Sequence, residues 1–194
     1  MTEKNAYSVL IISASEEMRR RIRSQLDRDL FPTSANARNT EESRRLLLCN
    51  SYDLVIIDSP IPSAVCHELA LDISDRGGSE VILLTDSDSY DQIRYRVERS
   101  GVITLPKPIE GDMIRIAINT AMASHSRMLL IEEENRRLRF KNEELRLCNR
   151  AKWALHQGLG MDEPTAHRYI EKRAMDNRMT RYAVAKEILK EYEG

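Results

Sequence analysis

Four apolar runs punctuate the first part of the chain: SVLII (8–12), DLVIID (53–58), EVILLT (80–85) and VITL (102–105). They are rich in β-branched residues and lack polar alternation, which predicts strands buried on both faces, as in a parallel sheet covered by helices. A weaker, more polar strand is expected within FPTSANA (31–37). The segments between are amphipathic and long enough for crossover helices. The first should open at Ser15, whose hydroxyl can cap EEMRRRIRSQL, and the second near Thr40 in TEESRRLLLC. AVCHELALDIS and YDQIRYRVERS, framed by Pro, Ser or Gly, predict the third and fourth. Five strands alternating with helices describe an α/β domain with a doubly wound, five-stranded parallel sheet of the flavodoxin-like kind, over residues 1–124.

Beyond Pro108 the pattern changes. Residues 109–157 contain no Pro and Gly only at 111, so they read as one helix too long to be an ordinary surface helix. Within it a heptad emerges, with Met128, Asn135, Asn142 and Asn149 at a and Ile131, Leu138 and Leu145 at d. A seam of this kind predicts a parallel two-stranded coiled coil over 125–149, the buried Asn positions favouring two strands over larger bundles. Arg127 faces Glu132 and Glu134 faces Arg139 across that seam, whereas Lys141 opposite Arg146 is repulsive. The alternative is a lone solvated helix. Phe140 and Leu147, at f, are not explained by the seam and are expected to pack elsewhere in the same dimer.

After Gly158 and Gly160 two more helices are expected. EPTAHRYIEKRAMDN is opened by Asp162 as cap with Pro164 in its first turn, and TRYAVAKEILKEYE is opened by Thr180. With the end of the long helix they predict a small three-helix, all-α domain over 150–194. Its thin core would draw on Trp153, Leu155, Leu159, Ala166, Tyr169, Ile170, Ala174, Met175, Ala183, Val184, Ile188 and Leu189. Trp153 is read here as a packing anchor, not a base-stacking platform.

Composition changes this picture little. Charged residues make up 31% of the 194 and the net charge is −1, so a polyanion partner would need a local concentration of cations. The three cysteines, Cys49, Cys66 and Cys148, form neither a disulfide framework nor a zinc-ligand spacing. No apolar run approaches a membrane span and MTEKNAYS lacks the features of a signal peptide, so a cytoplasmic protein is expected. Nothing in the sequence sets out a nucleophile with its base, a ligand cluster or a Gly-rich phosphate loop, and no enzyme is expected.

The chemistry gathers at the strand ends. In a doubly wound sheet the carboxyl ends of the strands face the functional crevice, which brings together Ser13 and Ala14, Asp58, Thr85 and Lys107. A carboxylate there can accept a phosphoryl group, with a hydroxyl and an ammonium to hold its oxygens. On DLVIIDSPIP, VILLTD and TLPKP, residues 1–124 resemble the response-regulator receiver family, which has the same order of Asp, Thr and Lys-Pro and the Pro four residues after the Asp. The resemblance implies Asp58 as phosphoacceptor and Thr85 and Lys107 as phosphoryl-sensing residues. It also implies a pair of acids binding Mg²⁺ at the end of the first strand, where this chain has Ser13 and Ala14. Phosphoryl transfer to a carboxylate needs a metal to neutralise crowded negative charge. With the pair missing, the favoured expectation is a receiver retained for its surface, with Lys107 paired to Asp58; phosphorylation of Asp58 is the alternative. Glu16 and Glu17 are expected in the first turn of the first helix, a layer too far from the site, and Asp86 is a spare acid.

The C-terminal segment resembles the ANTAR domain, the three-helix RNA-binding output module of antitermination regulators. The resemblance is carried by Ala151-Lys152, Gly158, Asp162-Glu163 before Ala166, Ala174-Met175 with Asn177-Arg178, and Val184-Ala185 before Ile188-Leu189. It implies binding, as a dimer, to paired hairpins in a nascent mRNA leader so that an antiterminator forms. Lys152, Arg168, Lys172, Arg173, Arg178 and Arg181 are the candidate RNA contacts. A sensor kinase or another signalling protein would supply the input, and Mg²⁺ would be required only if phosphorylation occurs. The competing reading is a phosphorylation-dependent, DNA-binding response regulator. No helix, however, shows the compact Arg/Asn/Gln face suited to a major groove.

Overall fold

A computed structural model of the chain describes residues 6–61, 65–110 and 112–192. The elements follow in the order β1 Ser8–Ile12, α1 Glu16–Ser24, β2 Thr33–Ala37, α2 Thr40–Cys49, β3 Leu54–Asp58, α3 Cys66–Arg76, β4 Glu80–Asp86, α4 Ser87–Val97 and β5 Ile103–Lys107. Three helices complete the chain: α5 Met113–Leu159, α6 Glu163–Asn177 and α7 Arg181–Tyr192. All four strand pairings are parallel and the sheet order is β2-β1-β3-β4-β5. The weak strand expected in 31–37 is the edge strand β2.

Period-two geometry divides the strands between two cores. Leu10, Ile12, Val55, Ile57, Val81 and Leu83 point to the face covered by α2, α3 and α4, with Leu69, Ala70, Ile73 and Val97 among the covering residues. Val9, Ile11, Leu54, Ile56, Ile82 and Leu84 point to the other face, where α1 supplies Ile22 and the start of α5 supplies Ile114, Ala117, Ile118, Ala121 and Met122. This explains the unbroken apolar runs: β3, between β1 and β4, is buried at every position. At the strand starts, Asp53 accepts from the Ser8 backbone N–H at 2.6 Å and its hydroxyl at 2.7 Å. The other Asp53 oxygen lies 3.3 Å from Nε2 of buried His125 on α5, without the alignment of a hydrogen bond.

The helix starts follow local chemistry. Ser15 and Asp162 each cap their helix, accepting from the N–H of Met18 and Thr165. The second helix, α2, begins at Thr40 as expected, with Asn39 as its cap, accepting from Glu42 N–H at 2.8 Å. The long helix α5 is as unbroken as its composition predicts, at 47 residues. Contacts divide the chain into two compact units, one up to Leu129 and one from Leu130.

In the second unit Leu147, Ala151, Ala154 and Leu155 of α5 pack with Ala166, Ile170 and Ala174 of α6 and Val184, Ala185, Ile188 and Leu189 of α7. Four expected core residues are not in it, Ala183 being half-buried at its edge and the other three open to solvent. Trp153 is 64% exposed, Met175 79% and Leu159 50%. The reason for Trp153 is angular: 147, 151, 154 and 155 define the buried face of α5, and 153 falls outside that stripe. Leu147, and with it Phe140, is accounted for within one chain: Leu147 is core, and the Phe140 ring lies 5.4 Å from that of Tyr182 on α7. Neither needs a dimer mate.

Candidate functional site

The carboxyl ends of β1, β3, β4 and β5 bring Ser13, Asp58, Thr85 and Lys107 together. Asp58 ends β3 and is buried; Thr85 lies within β4 and is buried. The Ser13 hydroxyl donates to Asp58 Oδ2 at 2.6 Å. Lys107, the last residue of β5, places Nζ 3.3 Å from Asp58 Oδ1 and donates to the Ser59 carbonyl. The same ammonium lies 3.2 Å from Asp86 Oδ1. Both Asp58 oxygens therefore have partners from the chain itself. Asp86, which the sequence offered only as a spare acid, is the second carboxylate on Lys107; its adjacency to Thr85 at the end of β4 was the available signal.

Ser13 is itself fixed. Its backbone N–H donates to Ala37 at 3.0 Å and its hydroxyl accepts from Ser15 N–H at 3.1 Å. Its carbonyl accepts from Nη1 of the buried Arg19 at 2.5 Å. The neutral hydroxyl thus occupies the β1 side of Asp58, where the receiver resemblance places an acid. Ala14 and Glu17 are exposed. Glu16 pairs with Arg20 along the surface of α1, and that hydrogen bond holds its carboxyl below the usual range. Pro62, part of the receiver-like motif, lies outside the described residues.

This donor set does not fit Mg²⁺, which demands an octahedral shell of oxygens at short range. Asp58 is engaged by an ammonium and a hydroxyl, and among the described residues no group of three His, Cys, Asp or Glu side chains could hold a metal ion. Two carboxylates share one cation here. Because Lys107 and Asp58 are largely withdrawn from water, with side chains 19% and 10% exposed, the pairing resists screening and its loss would strand a charge.

The second unit places the six candidate RNA-contacting cations in two groups. Lys152 pairs with Glu163 at 2.8 Å, Arg173 with Glu187 and Glu191 at 3.3 and 3.1 Å, and Arg181 with Glu144 at 3.2 Å and Glu171 at 3.9 Å. These pairs link the three helices to one another. Arg168, Lys172 and Arg178 stand exposed outside these pairs. Arg168 and Lys172 lie one turn apart on α6. Arg178 ends α6 in the left-handed conformation, φ 53°, ψ 39°. Its N–H returns to Met175 and that of Met179 to Ala174, the paired closure in which glycine is the usual residue. Cys148 is half-buried, and burial with the Glu144 carboxylate beside it pushes its thiol up, away from reactivity.

On α5, the heptad residues Met128, Ile131, Leu138 and Leu145 are all about half exposed, and Asn135, Asn142 and Asn149 are exposed with them. Leu130 is also exposed and is not accounted for by the seam. Among the described residues no helix is long and apolar enough to cross a membrane.

Comparison with known proteins agrees with both halves of this geometry. Residues 136–189 match the ANTAR domain family. Over 181 residues, 93% of this chain and 88% of the relative, the sequence is 26% identical to the Transcriptional regulatory protein PdtaR of Mycobacterium tuberculosis. The fold is similar to the receiver domain of the Francisella response regulator 1452, with TM-score 0.53, 22% identity, and 63% of this chain and 98% of that one covered. It is also similar to the beryllofluoride-activated DrrB receiver domain (0.51, 14%, 61% and 98%). A structure described as an adenylate cyclase from Rhodopirellula baltica shares the fold too, with TM-score 0.60, 16% identity, and 68% and 98% covered.

Proposed function

Starting from a chain that joins a receiver fold to an ANTAR domain, we propose that this protein is a dimeric transcription antitermination regulator that binds hairpins in nascent leader RNA. The observation that carries the reading is the ANTAR match over 136–189, coinciding with a three-helix core that leaves Arg168, Lys172 and Arg178 exposed on its surface. Exposed guanidinium and ammonium groups outside the ion pairs that join the helices are what phosphate contact requires, whereas Lys152, Arg173 and Arg181 serve first to hold the helices. Binding a two-hairpin RNA more tightly than duplex DNA of equal length, at one fixed salt concentration, supports the proposal; equal or reversed preference refutes it.

Dimerisation would run through Met128, Ile131, Asn135, Leu138, Asn142, Leu145 and Asn149, because this stripe is apolar at its d positions and uncovered in the single chain. The receiver fold would act without phosphorylation. Asp58, Lys107 and Ser13 already satisfy one another. Incubation with a small phosphodonor and Mg²⁺ should leave the intact mass unchanged; a phosphoryl adduct lost in Asp58→Ala would overturn this part.

A further inference from the structure

We infer that Trp153 is the stacking platform for an unpaired base of the bound RNA, in a hollow formed by Asn149, Lys152, Trp153, His156, Asp162 and Glu163. The inference rests on the RNA-binding reading above and names a site within it. An indole that belonged to the three-helix core would be covered, yet 64% of Trp153 is open. Its neighbour His156 meets it perpendicularly, with ring planes at 88° and centroids 5.9 Å apart, so the imidazole does not stack on the indole. The hollow beside it measures about 620 Å³, within the range of small-ligand sites.

The lining chemistry suits a base more than a phosphate. A phosphate site gathers unpaired cations, whereas here Lys152 is neutralised by Glu163 at 2.8 Å. Asp162 is committed to the Thr165 N–H as helix cap. Asn149 offers an amide donor and acceptor, and the Met161 carbonyl requires the proton on His156 Nδ1, leaving Nε2 as an acceptor in the neutral ring. Donors and acceptors beside an open aromatic face are the requirements for reading an unstacked loop base. A second copy of the chain is the less favoured occupant. Continuing the heptad past Asn149 puts Lys152 at d and His156 at a, so the apolar seam stops before Trp153.

Trp153 is the sole tryptophan, so its fluorescence reports on this site alone. The full chain should be titrated with a two-hairpin RNA and with the same RNA carrying abasic loop nucleotides. Quenching by the first and not the second is expected. Trp153→Ala should weaken binding by roughly 5- to 100-fold with an unchanged salt slope, and Trp153→Phe should recover most of it. Circular dichroism melts establish that both variants fold. Wild-type binding of the hairpins with undiminished affinity in Trp153→Ala overturns the stacking site while leaving the RNA reading intact. Absence of wild-type binding removes both. A lower sedimenting mass in Trp153→Ala also overturns the inference, by placing the indole in a protein contact.

Discussion

Replacing Arg178 by glycine separates what this residue does for folding from what it does for RNA. Arg178 holds φ 53° at the end of α6, a conformation that costs a side-chain-bearing residue about 1–2 kcal/mol. Glycine removes that cost but loosens the unfolded chain, which returns about 0.4–1 kcal/mol. The net is a stabilisation of about 0.5–1 kcal/mol, since both hydrogen bonds of the turn come from backbone N–H groups and survive the change. In a unit of this size such a gain raises the melting temperature by about 3–6 °C. Arg178→Ala deletes the same cation and keeps the strained backbone, so it should gain nothing. Both variants should bind a two-hairpin RNA more weakly and with a salt slope reduced by about one phosphate contact. Thermal melts and filter binding across a salt series measure the two effects. A glycine variant no more stable than the alanine variant would refute the strain argument. Full affinity in both would remove Arg178 from the RNA face.

Lys107→Met keeps the apolar stem but leaves Asp58 and Asp86 without their shared cation; urea unfolding should show a loss of about 2–3 kcal/mol in the sheet unit, recovered in part by adding Asp58→Asn. A Cβ at Gly158 would meet the Tyr192 ring at 2.6 Å, so Gly158→Ala should destabilise the second unit by about 1–2 kcal/mol despite its better helix propensity. Pairing it with Tyr192→Ala should abolish that penalty, and a double-mutant cycle checks this. Leu138→Glu combined with Leu145→Glu touches only exposed positions of α5, so the folded chain should keep its helicity while sedimentation shifts from dimer to monomer. The Thr165 N–H and hydroxyl hold the Asp162 carboxyl below its usual value. Its cap contribution is therefore full above about pH 4 and is lost as pH falls through the depressed folded value; in Asp162→Asn, melting temperature should lose that part of its acid dependence.

The strand pattern was legible because the inner strands β1, β3 and β4 are enclosed on both faces and an enclosed strand is apolar nearly throughout, whereas the edge strand β2, with Thr33 and Ser34 exposed, gave only a weak signal. The caps at Ser15 and Asp162 and the unbroken course of α5 were equally local matters, set by one hydroxyl, one carboxylate and the absence of Pro. The convergence of Asp58, Thr85 and Lys107 also followed from sequence, since parallel topology sends every strand end to the same edge. Other features depended on which groups meet across elements. Ser13 could be read as a missing acid, but only the fold shows its hydroxyl bonded to Asp58 and Asp86 drawn to Lys107. Lys152, Arg173 and Arg181 are the same residue types as Arg168, Lys172 and Arg178. What divides them is the position of glutamates on neighbouring helices, at separations of 10 to 37 residues, which no local pattern carries. Trp153 shows the same limit: a tryptophan in a small domain reads as core, and the face of α5 that its two neighbours cover, through 147, 151, 154 and 155, leaves it outward. Sequence thus determined the elements and their order, because those depend on local burial and backbone chemistry. Tertiary structure decided which charges are spent and which side chains remain to act, because that depends on packing between elements.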